Sequence, residues 1–102
     1  MANLRFEWDE AKNAANQRKH GVRFEDAVRV FEDPLHVSEL ERDTDGEQRW
    51  QTFGFIDGHL FVMVANTVSE AYEDGTAVDV VRLITARRAT PKERRDYEVK
   101  NG

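Results

Sequence analysis

The stretch Q-R-W-Q-T-F-G-F-I-D-G-H-L-F-V-M-V-A-N-T-V, Gln48 to Val68, decides the fold. Two runs rich in aromatic and β-branched residues flank Asp57-Gly58. Asp-Gly accepts positive φ at both central positions of a type I′ turn, whose twist matches that of the paired strands. Gln48–Ile56 is therefore an outgoing strand and His59–Val68 its antiparallel return. The return strand holds the longest apolar run in the chain, Leu60 to Ala65, as expected of a central strand covered on both faces.

Working outward, Val78–Ala86 is the last strand, reached through a polar loop that contains Asp74-Gly75. Upstream, Leu35–Leu40 is a strand in which Leu35 and Val37 alternate, followed by an acidic loop, E-R-D-T-D-G-E. Phe6-Glu7-Trp8 is a short extended segment. Asp9 is placed to cap a helix that runs to Lys19 or His20, with Glu10 in the first turn and Gly21 at the position after the end. One side of this helix holds Ala11, Ala14, Ala15 and the Arg18 stem; another holds Lys12, Asn16, Lys19 and His20. A second helix spans Phe24–Glu32, with Phe24, Ala27, Val28 and Phe31 at the i, i+3, i+4, i+7 spacing of a core face, and Pro34 stops it. Thr90-Pro91-Lys92-Glu93 opens the final helix with a capping box and a proline at the first helical position. The order β-α-α-β-β-β-β-α implies an α+β fold. It is a mainly antiparallel sheet of four to five strands, packed by two N-terminal helices and one C-terminal helix.

The chain of 102 residues forms a single domain, 1–102, with 39% hydrophobic residues and a formal net charge of −5. It has no cysteine, which excludes disulfides, thiolate nucleophiles and cysteine zinc sites. The start, M-A-N-L-R-F-E-W-D-E, lacks a secretory apolar region, and the longest apolar run falls far short of the roughly 20 residues that span a bilayer. The expectation is a soluble cytoplasmic protein without membrane contact.

Charge is unevenly placed. Arg82 to Lys100 holds seven of the fifteen Lys and Arg and only three of the twenty acids. A cationic end on an acidic chain points to a local anion site, and phosphate backbones are the commonest such target. Arg82, Arg87 and Arg88 lie in or just after the last strand. Arg suits phosphate because its planar fork donates two parallel hydrogen bonds, and several can stabilise a pentacovalent transition state. For Lys92, Arg94 and Arg95 a solvated helix face with local pairing to Glu93 and Asp96 accounts equally well. His20 can move a proton near neutral pH, although the cation-favouring end of a helix is a sufficient structural reason for Lys19 and His20. Trp50, Phe53, Phe55 and Phe61 read as core; Tyr97, in the basic helix, could instead stack on a base. His20, His36 and His59 have no metal-ligand spacing, and Asp43-Thr44-Asp45-Gly46 departs from a calcium loop, so no metal or cofactor is expected and that segment reads as an exposed turn.

F-E-W-D-E-A-K-N-A-A-N-Q-R-K-H-G-V-R-F-E-D-A (Phe6–Ala27), G-E-Q-R-W (Gly46–Trp50) and R-L-I-T-A-R-R-A-T-P-K-E-R-R-D-Y-E (Arg82–Glu98) together resemble the BrnT family nearly end to end. The resemblance implies a RelE-like fold and an endoribonuclease toxin of a type II toxin–antitoxin module that arrests translation. It implies a BrnA-like antitoxin in a hetero-oligomer, with 2:2 as one arrangement, through which operator DNA is met only indirectly. Such nucleases generally need no metal: the RNA's own 2′-OH attacks the adjacent phosphate. Carried over, Arg82, Arg87 and Arg88 would bind phosphate, His20 would transfer a proton, and Lys19 and Arg49 would stabilise charge. Lys12, Tyr97 and Arg94 would contact RNA. Two departures stand out. Arg23 replaces the usual serine before the second helix, removing a side-chain cap at a cost of about 1 kcal/mol. Ser69–Ala77 is longer and more acidic, and folded over the sheet it would restrict RNA access. A non-catalytic binding protein, or degenerate toxin, stays open as the alternative.

Overall fold

A computed structural model describes residues 3–102; Met1 and Ala2, the start of the segment read for a leader, lie outside it. The elements are β1 (Leu4–Glu7), α1 (Glu10–His20), α2 (Phe24–Ala27), a 3-10 segment (Val28–Glu32), β2 (Val37–Thr44), β3 (Glu47–Ile56), β4 (Leu60–Glu73), β5 (Thr76–Arg88) and α3 (Pro91–Asn101). One sheet has the order β1-β5-β4-β3-β2, parallel only between β1 and β5. This is the expected α+β architecture. No helix among the described residues is long and apolar enough to cross a membrane.

Three Asp-Gly turns build the hairpins. Asp45, Asp57 and Asp74 have φ of 52, 54 and 52°, and the glycine after each has φ of 78, 72 and 77°. The expected acidic loop at 41–47 is thus the end of β2, a tight Asp45-Gly46 turn and the start of β3. The expected loop at 69–77 is likewise absent. β4 and β5 stay paired from Ser69↔Val80 out to Glu73↔Thr76, and the segment is a β-ribbon that does not fold over the sheet. Both were masked in sequence because polar, solvated strands lack the apolar alternation that marks half-buried ones.

The second helix also differs from expectation. It holds α geometry only through Ala27 and then tightens to 3-10, so the inward residues recur every three: Phe24, Ala27 and Val30 are all fully buried. Val28 and Phe31, expected at full burial, are half-buried. Gly54 of β3 admits this segment, because a Cβ there would lie 3.0 Å from both Cγ1 and the carbonyl oxygen of Val30. Arg23 gives no side-chain cap, as expected; Asn13 Oδ1 of α1 accepts from Phe24 N at 2.9 Å instead.

The capping expected for α1 is present at both ends, with Asp9 Oδ1 accepting from Lys12 N and Gly21 at φ 72°. Its inward face is polar. Asn13 and Asn16 are buried and His20 half-buried, while Ala11, Ala14, Ala15 and Arg18 face solvent. β1 ends at Glu7, which leaves the β5 edge unpaired beyond Arg82. Asn16 fills that gap: its Nδ2 donates to Ala86 O (2.8 Å) and Val22 O (2.9 Å), and its Oδ1 accepts from Ala86 N (3.0 Å) and Thr85 Oγ1 (2.8 Å). A carboxamide has a peptide's donor and acceptor, so one side chain replaces a strand.

Two cores lie on the two faces of the sheet. α2 and the 3-10 segment cover Ile56, Val62, Val64, Val81, Leu83 and Ala86. On the other face Tyr97 of α3 joins Phe53, Phe61, Met63 and Ala65. The Thr90 capping box and Pro91 start α3 as expected. α3 is tied down at Asp33, whose Oδ2 accepts from Tyr97 Oη (2.9 Å) and Phe55 N (2.8 Å).

Candidate functional site

Strand register fixes which face each cation occupies, because directly paired residues share a side. Met63 lies in the α3-side core and pairs with Arg87; Val62 lies in the opposite core and pairs with Arg88. The adjacent arginines therefore leave β5 in opposite directions. Thr67 pairs with Arg49 on one side and with Arg82 on the other, and Arg42 pairs with Arg49. Two residues from Ala65, Thr67 shares its α3-side face, so Arg42, Arg49, Thr67 and Arg82 form one row across four strands. α3 packs over Phe53, Phe55 and Phe61 further along the strands and leaves this row uncovered. Each strand step is about 4.8 Å, so the Arg49 and Arg82 stems stand about 10 Å apart with the small Thr67 between them.

Both arginines face carboxylates. Arg82 Nη1 lies 2.8 Å from Glu7 Oε2, and Arg49 Nε lies 3.0 Å from Glu41 Oε2. The second pair lacks hydrogen-bond alignment: Arg49 Nε is buried, and no acceptor among the described residues meets its N–H. The exposed Arg82–Glu7 pair contributes about 0–1 kcal/mol, so an entering anion can displace that carboxylate at little cost. Arg42 has no acidic partner among the described residues, and Arg42, Asp45, Glu47, Arg49 and Ile84 line a shallow depression. Ile84 is the extra residue of a bulge opposite Ala65 and Asn66, which bends β5 beside the row.

Arg87, on the same face, is engaged. Its two terminal nitrogens each donate to a different Glu93 oxygen at 2.9 Å. This hydrogen bonding raises the Arg87 pKa against an opposing effect of burial, and it holds the Glu93 carboxyl below the usual range. Glu93 is also the capping-box residue, so Arg87 joins the end of β5 to the start of α3.

Lys19 and His20 are elsewhere. Glu7, at the end of β1 just before α1, reaches Arg82, and Asn16 of α1 reaches Ala86 further along, so α1 advances in the direction of β5. Its last turn comes level with Arg88, about 15 Å of helix from the Arg82 contact. His20, Lys19 and Arg88 thus share one end of the molecule, and Arg49 and Arg82 share another. Lys12, Lys19 and Arg88 are exposed and have no acidic partner among the described residues. Tyr97 is buried at 7% exposure between the Phe55 and Phe61 rings, with its hydroxyl on Asp33, and offers no ring face to a base. Arg94 pairs with Glu98 at 3.0 Å and lies over the Phe55 ring.

Sequence reasoning missed Arg42 and Thr67. The Asp45-Gly46 turn was the available signal, since two-residue pairing about it sets Arg42 opposite Arg49. Among the described residues there is no cluster of three metal-ligating side chains.

The family described as "Ribonuclease toxin, BrnT, of type II toxin-antitoxin system" matches residues 8–93. The crystal structure of the Brucella abortus ribonuclease toxin BrnT superposes with a TM-score of 0.55 at 19% identity, covering 87% of this chain and 99% of that one; at this identity the likeness concerns the fold. No curated protein matches the chain. With one family spanning α1, strands β2 to β5 and the start of α3, this chain belongs to the BrnT family of ribonuclease toxins.

Proposed function

We propose that this chain is an endoribonuclease that cuts RNA without a metal ion: a 2′-OH attacks the adjacent phosphate, the P–O5′ bond breaks, and a 2′,3′-cyclic phosphate and a 5′-OH, which takes up a proton, are left. The observation that carries the reading is the Arg49–Thr67–Arg82 row on the sheet face that α3 leaves open. Arg49 and Arg82 hold the scissile phosphate from two sides and stabilise the charge that builds in the pentacovalent transition state. Arg42 extends the row toward the next phosphate. Guanidinium groups already supply the positive charge that a divalent ion brings elsewhere, and they would repel one. As RNA enters, Glu7 and Glu41 are released from their arginines and become the proton acceptors nearest the 2′-OH. Lys19, His20 and Arg88, about one helix length away, and Lys12 in the first turn of α1 contact flanking RNA. Arg87, Tyr97 and Arg94 act through α3, keeping it off the row. Cleavage inhibits translation in the cytoplasm, and a BrnA-like antitoxin restrains the enzyme in a hetero-oligomer.

One observation favours a second placement. Lys19 and Arg88, without acidic partners among the described residues, lie toward the same end as His20, the residue type that exchanges protons at neutral pH. The test is cleavage of a short RNA in EDTA by purified, antitoxin-free protein, with analysis of the product ends. Cyclic 2′,3′-phosphate ends, lost in Arg49→Ala/Arg82→Ala and retained in His20→Ala/Arg88→Ala, support the row. The reverse pattern moves the centre to the end of α1. Wild-type protein that never cuts RNA leaves a non-catalytic binding protein.

A further inference from the structure

The opposite face of the same sheet carries an apolar strip that no element among the described residues covers. Register sets Leu4, Leu40, Trp50, Val68 and Tyr72 on the α1/α2 side: Phe6 and Val81 of that core are paired, Val68 pairs with Val81, and Leu40, Trp50, Asn66 and Leu83 form one row. Leu4, Leu40, Val68 and Tyr72 are 43, 48, 47 and 70% exposed, and they are four of the six exposed large hydrophobic residues among those described. α2 and the 3-10 segment stop short of them, so the strip continues the buried core outward along the β4–β5 ribbon.

The charges on this strip have one sign. Glu70 lies between Val68 and Tyr72 and pairs with Asp79, which pairs with Leu4; Asp43 pairs with Gln48 beside Val68. Arg5, Arg42, Arg49 and Arg82 alternate onto the other face, so among the described strand residues no cation shares the strip. A second copy of this chain would bring the same acids against themselves. A sheet face beside existing helices is completed by another helix, and here the complement is apolar with flanking Lys or Arg.

We propose that this strip docks a cationic amphipathic helix of the antitoxin, which therefore binds the face opposite the arginine row. The proposal rests on the toxin reading above and assigns its partner a surface. Neutralisation then comes from a segment that passes round the sheet edge, or from the bulk of the bound partner, and not from the docking contact itself.

The test co-expresses the full chain with the protein encoded by the neighbouring gene and measures the affinity of the purified pair across ionic strength. Two variants are compared with wild type: Leu40→Ser/Val68→Ser, which removes apolar contact, and Glu70→Lys/Asp79→Lys, which reverses charge on exposed ribbon and leaves the apolar residues in place. Each is expected to weaken binding at least about tenfold, and the charge variant to flatten the salt dependence, while RNA cleavage by the free toxin is unchanged. Wild-type affinity in both variants overturns the proposal, as does a wild type that fails to bind the neighbour. Self-association of wild type that the variants abolish assigns the strip to a second copy and also overturns it. A free toxin that cuts no RNA but binds the neighbour through the strip sinks the nuclease reading alone.

Discussion

The two faces of one sheet differ in what each has left unsatisfied. On the α3 side the unspent property is charge: Arg42, Arg49 and Arg82 stand in a row with weakly held or absent carboxylate partners. On the α1/α2 side it is apolar area, with Leu40, Val68 and Tyr72 open to water among acids. Strand alternation lets one ribbon carry both without mixing them, since Thr67 and Val68 are neighbours in sequence and point opposite ways. A net acidic chain can thereby line up three arginines on one face.

Variants that loosen one side at a time sharpen this contrast. The largest effect is expected for Asn16→Ala, which strands the Ala86 peptide N–H and C=O at the β5 edge. A loss of about 3 kcal/mol should appear as a lower denaturant midpoint. Gly54→Ala pushes a methyl onto the Val30 carbonyl, and about 2 kcal/mol of destabilisation is expected, felt on the α1/α2 side first. Hydrogen exchange should show the 3-10 segment opening before α3.

Tyr97→Phe acts on the α3 side and should cost about 1 kcal/mol, with RNA cleavage retained. Its cost depends on pH. Burial, and then the bond to Asp33, raise the Tyr97 pKa to about 12. Burial pushes the Asp33 carboxyl up, but its bonds from Phe55, Leu35 and Tyr97 outweigh this and hold it below the usual value. A raised tyrosine stabilises fully below its unfolded value, and a depressed carboxylate stabilises fully above its own. The wild-type advantage over Tyr97→Phe should therefore be flat in the neutral range. It should fall off below about pH 4 and again above about pH 10. An advantage that persists unchanged at pH 11 would show that the hydroxyl contributes through something other than this bond. The smallest effect is expected for His20→Ala, less than about threefold on cleavage, because the residue lies a helix length from the row.

The architecture was readable where local chemistry is strong: the Asp57-Gly58 turn, the apolar run of β4, and the caps at Asp9, Gly21 and Thr90. β2 was readable as far as Leu40, but its outer half and the outer β4–β5 ribbon were not, because polar strands solvated on both faces look like loops. The inward face of α1 was hidden for a related reason: Asn13 and Asn16 serve the backbone of neighbouring elements, and polarity alone suggests solvent. Of the candidate site, Arg49 and Arg82 were visible as residues but not as a row, since a row depends on register. Arg87 and Arg88 look equivalent as neighbours in sequence, and only their pairing with Met63 and Val62 sends them to opposite faces. Tyr97, placed in a basic helix, gave no sign that its ring faces a core of Phe55 and Phe61.

The division of labour between the faces is tested most directly by crossing two variants with two readouts. Arg49→Ala/Arg82→Ala and Leu40→Ser/Val68→Ser are each measured for kcat/KM on RNA and for affinity toward the antitoxin. The arginine variant should lose at least about a hundredfold in cleavage and keep its partner, while the apolar variant should keep cleavage and lose its partner. If either variant loses both in a protein that remains folded, or the two losses are exchanged, the two faces do not have separate roles.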